Sequence, residues 1–423
     1  MTEPIRSDTA PATRSGRVGI VALVAANVIS LTGNQVTFFA LPWFVIERTG
    51  STAQTALVAG TQMIAVLLSS LAGGVVVDRF GPKWLSVVSD VVSGLSIVAI
   101  PVLMLTVGLA TWQILALAFF GILLDSPGNN ARFGIITDLI DRSGWRPESA
   151  YSAFSSAGGM ARIAGPILAG GLIAWVGAVK ALWVDAASFA VSALLIAILV
   201  PLTTRPKVSG ASLLGDVRAG WTYLKSRALL VRFVALIVGV NLTAVPLAAV
   251  VIPKIAQDHY DSASVGGFML AADGVGVIIG GAIFGVIGRR LTLYRSLLTA
   301  LVLLFLSLIT LAGLFTESIS VAALALTGLG FGIMSPVSGT VYRRIADREY
   351  RGRVLGLQDT FLGITSPVMV VAVGLALEVA PIQLIVLLLS AINLAILIWY
   401  IRERFFWQLN ALEPEPDLVP QAG

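Results

Sequence analysis

Twelve stretches of mainly apolar residues, each long enough to cross a bilayer, follow one another along this 423-residue chain. A spanning helix needs about 20 such residues. Backbone polar groups must pair within the segment in lipid, and the strict alternation of a barrel strand is absent, so the stretches are predicted to be helices. The first follows a polar tail and has no small-residue cleavage site, so we predict a true span rather than a signal peptide. The predicted spans lie near 18–46, 55–77, 84–106, 111–136, 150–176, 181–201, 231–253, 265–288, 293–314, 319–341, 354–378 and 382–402.

The composition excludes most other classes of protein. Hydrophobic residues make up 57% and charged residues only 12% of the chain, with a mean hydropathy of +0.91. This is too little charge for a cytosolic enzyme, a nucleic-acid-binding module or a disordered scaffold. There is no Cys and only one histidine, His259, so we expect no catalytic thiol, disulfide or metal centre.

The positions of the cations predict the orientation in the membrane. If both termini are cytoplasmic, 24 of the 28 Lys and Arg residues lie on the cytoplasmic side, three lie outside and Arg162 lies within a span. This is a strong positive-inside asymmetry. Together with a composition typical of a high-GC bacterial genome, it predicts a multi-pass protein of the bacterial plasma (inner) membrane, which we expect to be a monomer. Residues 1–17 and 403–423 are its predicted cytoplasmic tails.

The longest connection, 202–230, divides the chain into predicted six-helix bundles over 18–201 and 231–402. It places Leu214, Val217, Trp221 and Leu224 on one helical face, which indicates an amphipathic helix on the inner leaflet or a solvated linker helix. Shifting the chain by 207 residues aligns glycines and a cation of the second and eighth spans. The sequence thus predicts an all-α membrane protein with twelve transmembrane helices in two six-helix pseudo-repeats, a known transporter plan. The aligned residues are Gly60, Gly73, Gly74, Gly81 and Lys83 with Gly267, Gly280, Gly281, Gly288 and Arg290.

The loop after the second span carries Gly74, Asp78, Arg79, Gly81 and Lys83 in the spacing G-x-x-x-D-R-x-G-x-K. It resembles the signature loop of the major facilitator superfamily, except that proline replaces one basic residue. The resemblance implies a gate: the aspartate contacts the positive N-terminus of the eleventh helix when the cytoplasmic side is closed. The two cations can pair with carboxylates on neighbouring helices. The equivalent loop of the second half lacks the acid.

The fifth span contains Gly165-Pro166 and Gly170, which resemble the G-P-x-x-G-G motif of the antiporter branch, with Ala169 in place of one glycine. Small residues there permit close helix contact. Strings at 40–43, 215–221 and 351–354 resemble a twelve-helix exporter group that includes macrolide efflux proteins, enterobactin exporters and Tap-type multidrug pumps. The resemblance implies a drug:proton antiporter, while the substrate is not fixed by the fold.

Ionisable side chains within spans are costly and are therefore functional candidates. Asp125 and Arg162 lie at similar depth on consecutive spans. They form either a structural ion pair or a proton-coupling pair. Asp273 has no evident cation at its depth, and it is either the second coupling candidate or a carboxylate that faces a water-filled cavity. Asp90 and Asp359 are predicted to belong to packing or gate networks, and Asp185 is predicted to be structural.

Neutral polar and aromatic residues on the cavity-type first, fourth and seventh spans suit an amphipathic solute. Asn34 stands where family members often carry an acid, so it can bind a ligand but cannot titrate. The candidate substrate-contacting residues are Asn34, Gln35, Phe38, Asn129 and Asn241.

The energy source is predicted to be a proton gradient, because no phosphate-cradling G-x-x-x-x-G-K-[ST] loop is present and no cofactor is indicated. The sequence therefore predicts export of amphipathic drugs or antibiotics by alternating access. Export of a siderophore or lipid-like metabolite stays open, as does a non-transporting sensor or scaffold of the same fold. A lipid-handling enzyme would need a Ser/His/Asp set that the chain does not offer.

Overall fold

A computed structural model describes residues 14–106, 108–123, 125–202, 213–287, 291–347 and 349–410. Within these ranges the side chains of 70–80, of 213–217 and of some single residues, including Arg162 and Pro166, are not described. The helices are α1 (Arg14–Thr49), α2 (Thr52–Phe80), α3 (Pro82–Thr106), α4 (Thr111–Leu123), α5 (Asp125–Ser143), α6 (Pro147–Val176), α7 (Ala178–Leu199), α8 (Leu213–Ser226), α9 (Ala228–Pro246), α10 (Ile252–Asp258), α11 (Ala263–Ile287), α12 (Leu293–Ala312), α13 (Glu317–Ile345), α14 (Arg351–Val379), α15 (Ile382–Arg402) and α16 (Arg404–Trp407).

Every predicted span coincides with a helix or with a pair of consecutive helices, and no strand occurs among the described residues. Eleven spans of the described chain are long and apolar enough to cross a membrane. The fifth predicted span is α6, whose 30 residues include a shorter apolar stretch, Ile167–Val176. At about 1.5 Å per residue α6 still reaches across a bilayer. The predicted all-α fold with twelve membrane helices is confirmed.

The seventh span is irregular because two prolines interrupt its hydrogen-bond ladder. Pro246 ends α9, Pro253 lies at the start of α10, and the five residues Leu247–Val251 between the helices are π-helical. Proline has no backbone N–H, so the carbonyl groups one turn earlier lose their partner and the ladder shifts register. The span Ala228–Asp258 remains continuous through this segment.

The chain forms two compact units. The first contains Met1–Gly210, Val245–Ala271 and Gly363–Val379; the second contains Ala211–Ala244, Ala272–Leu362 and Ala380–Gly423. The first unit therefore includes two pieces of the predicted second bundle, around α10 and the end of α14. The two six-helix bundles over 18–201 and 231–402 stay a prediction that is based on the internal sequence repeat.

Each unit has its own apolar core. In the first, residues of α1, α5 and α7 such as Leu23, Leu139 and Ile196 are fully buried. In the second, the core joins α9, α12, α13 and α15 and includes Leu224 of α8. Large apolar side chains on the outside are exposed, for example Leu105 and Val286 at 74% and 79%. An apolar exterior is what a membrane-spanning bundle presents to lipid.

The predicted amphipathic helix of the linker is present as α8. Leu224 is buried in the second unit, the Trp221 ring lies 5.9 Å from that of Phe361, and Gly220 approaches Arg353 closely. These described positions of the apolar face contact protein while Trp221 remains 39% exposed, and contact of α8 with the inner leaflet stays a prediction. The side chains of Leu214 and Val217 lie outside the described residues.

Candidate functional site

A cavity of about 360 Å³ lies within the first unit, among α1, α2, α3, α4, α5 and α7. Its size is typical of pockets for small molecules, which span about 300–1,000 Å³. Four of the five predicted substrate-contacting residues line it. The lining consists of Leu31, Asn34, Gln35, Thr37, Phe38, Gln62, Val66, Ile97, Gly121, Ile122, Asp125, Asn129, Asp185 and Phe189.

Helix periodicity explains how α1 contributes to this cavity. Leu31, Asn34, Gln35 and Phe38 follow the spacing i, i+3, i+4 and i+7, which places them on one helix face. Asn34 Nδ2 donates to Asp125 Oδ2 over 2.9 Å, so an amide of α1 holds the carboxylate at the start of α5. The neutral residue that replaces the family's usual acid in α1 is therefore a direct partner of a carboxylate on another helix.

A second carboxylate, Asp185 of α7, lines the same cavity. It is 0% exposed and accepts hydrogen bonds from Thr37 Oγ1 and, at 3.1 Å, from Ser188 Oγ. Gly33 leaves room for this arrangement, because a Cβ on it would collide with Ser188 Oγ and Asp185 Oδ1 unless these side chains moved. Asp185 was predicted to be structural, and the structure adds that it belongs to the cavity that also contains Asp125.

A neighbouring cavity of about 390 Å³ shares Leu31 and Asn129 with the first. Its other lining residues come from α1, α5 and α6. Both cavities therefore lie along one face of α1 and α5. The remaining lining residues are Asn27, Phe133, Phe154, Ser155, Gly158 and Gly159.

A buried ion pair joins α3 and α5 beside these cavities. Arg132 Nη2 lies 2.5 Å from Asp90 Oδ1, and both side chains are 2% exposed. The Ser192 hydroxyl of α7 accepts from Arg132 at 3.2 Å and donates to Asp90 at 2.7 Å. Arg132 also donates to Ser86 Oγ and to Asn27 Oδ1, so the pair connects four helices.

Arg132 is not among the site residues predicted from the sequence, because its position near the end of the fourth span assigned it to the cytoplasmic loop cations. That assignment is wrong: the span continues to Ile140 and Arg132 lies inside it. Asp90, predicted to belong to a packing or gate network, is the partner. The pairing of Asp125 with Arg162 stays a prediction, because the side chain of Arg162 lies outside the described residues.

The glycines of the antiporter-type motif lie at close helix contacts. A Cβ on Gly165 would lie 2.5 Å from Gln35 Cβ, so α6 touches the cavity-lining face of α1. A Cβ on Gly170 would collide with the backbone of Gly267 in α11, within the first unit. The side chain of Pro166 lies outside the described residues.

The signature loop is described only in part. The end of α2 contains Gly74, Asp78 and Arg79 as helical residues. Their side chains lie outside the described residues. Gly81 has a φ of +78°, which supports the predicted tight turn between α2 and α3. Lys83 Nζ donates to the Ala197 carbonyl oxygen over 2.9 Å, rather than to a carboxylate among the described side chains.

Two predicted residues lie in the second unit. Asn241 Nδ2 donates to Ile237 O of its own helix, and the residue is not part of the described cavity lining. Asp273 Oδ1 is buried and has no hydrogen-bond partner among the described residues. It lies where α11 meets α13: a Cβ on Gly328 would collide with the Asp273 backbone carbonyl.

A carboxylate joins α14 to the N-terminus of α2 within the first unit. Glu378 Oε1 accepts from Ser51 Oγ at 2.8 Å, from Thr52 Oγ1 at 3.1 Å and from Ala53 N at 2.9 Å. Thr52 Oγ1 also donates to Gly374 O at 3.0 Å. The acid caps a helix N-terminus, where its charge is favourable. In the predicted orientation this contact is on the outer side.

The fold is a multi-pass helical bundle with a partly polar cavity inside one unit, and the family that it matches consists of membrane transporters of small molecules and not of enzymes. The model of the Major Facilitator Superfamily matches residues 23–248 and 234–418. This chain belongs to the Major Facilitator Superfamily, and the predicted family is confirmed.

Curated relatives are efflux pumps of mycobacteria. The chain is 27% identical over 392 residues to the multidrug efflux pump Tap of Mycolicibacterium fortuitum, covering 89% of this chain and 94% of the relative. It is also 27% identical over 375 residues to multidrug efflux pump Tap of Mycobacterium tuberculosis (strain ATCC 25618 / H37Rv), covering 85% and 87%.

Solved structures of low identity share the fold. The nucleoside transporter NupG superposes with a TM-score of 0.72 at 12% identity, covering 92% of this chain and 98% of that one. A bacterial homologue of the iron transporter ferroportin in an inward-facing state gives 0.67 at 14% identity, with the same coverage.

Proposed function

We propose that this protein is a secondary active efflux transporter that exports amphipathic small molecules in exchange for protons. The cavity of the first unit is the proposed substrate site. Apolar side chains such as Phe38 and Phe189 suit the body of an amphipathic solute, and Asn34, Gln35 and Asn129 supply hydrogen-bonding groups. The mycobacterial relatives are named multidrug efflux pumps, which supports export.

The observation that carries the proposal is the presence of two carboxylates, Asp125 and Asp185, on that one cavity. A carboxyl group at membrane depth can exchange a proton with a water-filled cavity, and it can meet a cationic group of a solute. If proton and solute compete for these groups, entry of a proton from one side favours release of the solute there. Competition of this kind couples two opposite fluxes without ATP.

Alternating access would use helix contacts that break and reform. Glu378 is exposed, and it accepts three hydrogen bonds from short side chains and the backbone at the N-terminus of α2, beside a buried hydrogen bond from Thr52 to Gly374. An exposed charge at a helix terminus contributes only about 0.3–1 kcal/mol. We propose it as a reversible closure of the outer side. Asp78 of the signature loop is the proposed counterpart on the cytoplasmic side.

The proposed setting is a bacterial plasma membrane, with both termini cytoplasmic and a monomer as the transporting unit. No cofactor is required in this mechanism. Proton coupling is assigned first to Asp125 with Asp185, then to Asp273 of the second unit, and the role of Arg162 as a partner of Asp125 stays a prediction.

The test is uptake of a lipophilic cationic dye into inside-out membrane vesicles. An acidic lumen should drive uptake, and collapse of the pH gradient with a K⁺/H⁺ exchanger should abolish it. Asp125→Asn and Asp185→Asn should each reduce gradient-driven uptake at least about tenfold, while the exposed Glu349→Gln serves as control. Uptake that is independent of the pH gradient and requires ATP would contradict the proposed proton antiport.

The remaining alternatives differ in the outcome of the same assay. A panel that includes siderophores and lysolipids separates a metabolite exporter from a drug exporter. A sensor or scaffold would transport none of them and would keep its signalling after the carboxylates are neutralised.

A further inference from the structure

One polar side chain of the cavity was not among the sequence-based candidates. Gln62 lies in the middle of α2, is 0% exposed and lines the 360 Å³ cavity. Neither its Nε2 nor its Oε1 has a hydrogen-bond partner among the described residues. Two other polar groups of this cavity have protein partners: Asn34 donates to Asp125, and Asp185 accepts from hydroxyl groups.

An unpartnered buried amide is unusual, because buried polar groups are nearly always hydrogen-bonded. Leaving such a group unpaired destabilises the fold, whereas an apolar side chain of the same shape would avoid this cost. Packing alone therefore favours a methionine or leucine at position 62. A glutamine with both amide atoms unpaired on a cavity wall is suited to a ligand that completes its hydrogen bonds.

We propose that Gln62 is a specificity-determining residue that hydrogen-bonds an uncharged donor–acceptor pair, such as a carboxamide, on an otherwise apolar solute. The planar amide of glutamine offers a donor and an acceptor side by side, and the complementary group must do the same. The apolar neighbours Val66, Ile97 and Ile122 surround the rest of the solute. This inference rests on the proposed substrate site and names the chemistry that it recognises.

A matched pair of ligands tests the recognition. The probes are 2-naphthamide, which carries the donor beside the acceptor, and N,N-dimethyl-2-naphthamide, which has the same apolar body without the donor. Binding to the purified protein in lipid nanodiscs is measured without a pH gradient. We expect the wild type to prefer 2-naphthamide by about 10- to 100-fold, since the dimethyl compound leaves a buried amide unpaired.

The Gln62→Met variant should lose this preference, and Gln62→Asn should keep part of it because the amide is retained. The exposed Gln383→Met of α15 is the matched control and should bind like the wild type. Gln62→Met should also unfold at the same or a higher temperature than the wild type. A residue with a purely structural role would instead lower the unfolding temperature and leave the preference unchanged.

Equal binding of both probes by the wild type, or binding of neither, overturns the role of Gln62. So does a preference that survives in Gln62→Met. These outcomes are separate from those for proton-driven export, because binding is measured without a gradient. An intact amide preference with no proton-driven uptake would refute antiport and leave Gln62 as a recognition residue.

Discussion

Replacing Arg132 by methionine should strongly destabilise the first unit, because it leaves Asp90 as a buried charge. Both side chains are 2% exposed and lie 2.5 Å apart. Without Arg132 the carboxylate keeps only the hydroxyl groups of Ser30, at 3.3 Å, and Ser192, at 2.7 Å. Removing one partner of a buried pair typically costs about 3–5 kcal/mol. We expect a similar loss of stability for Asp90→Leu, because it leaves the Arg132 guanidinium as an unpaired buried charge.

The double variant Asp90→Leu/Arg132→Met should be far more stable than the two single changes predict. It contains no buried charge from this pair, and the remaining loss comes from Ser30, Ser86, Ser192 and Asn27. Serine hydroxyls can donate to a carbonyl of their own helix, and Asn27 lines the neighbouring cavity. We therefore expect a cost of about 1–3 kcal/mol. Independent sites would instead give the sum of the single changes, about 6–10 kcal/mol.

The measurement is the free energy of unfolding in mixed micelles, from a reversible SDS titration followed by circular dichroism. The exposed pair of Arg227 and Asp347, 3.1 Å apart and 47% and 60% exposed, provides the control cycle. Its coupling should be at most about 1 kcal/mol. If the Asp90 and Arg132 changes are additive, or if each single change is silent, the two charges do not interact as argued.

Three further variants test other contacts. Glu378→Gln should weaken closure at the N-terminus of α2 by about 0.3–1 kcal/mol, seen as faster maleimide labelling of Ala53→Cys, which keeps the backbone N–H that Glu378 accepts from. The chain has no native Cys, and unchanged labelling would refute the closure. Gly170→Val should abolish transport by forcing α6 away from the Gly267 backbone, whereas Gly171→Val, with open space around it, should not; equal effects would contradict a specific contact. Asp273→Asn should leave thermal stability at or above the wild type, because a buried unpartnered oxygen loses its charge; a clear fall would reveal a partner.

The sequence predicted part of the candidate site because helix periodicity is encoded locally. Asn34, Gln35 and Phe38 share a face of α1 whatever α1 packs against, and they do line the cavity. Gly165 and Gly170 lie in a motif whose small residues permit close contact, and both make one. Gln62 could have been found as an amide in the middle of an apolar span. Asn241 has the same local character but donates within its own helix.

The apolar stretches and the loop cations by themselves determined that this is a helical membrane protein. In lipid, a spanning segment must pair its own backbone N–H and C=O groups, and a helix does so. Hydropathy is a local property, so twelve helices could be read from it. Which charges meet was decided only by the tertiary structure. Arg132 lies near the predicted end of a span, and whether it reaches water or Asp90 depends on how α3, α5 and α7 pack. Residues 42 positions apart were brought together by helix packing, which no local pattern records.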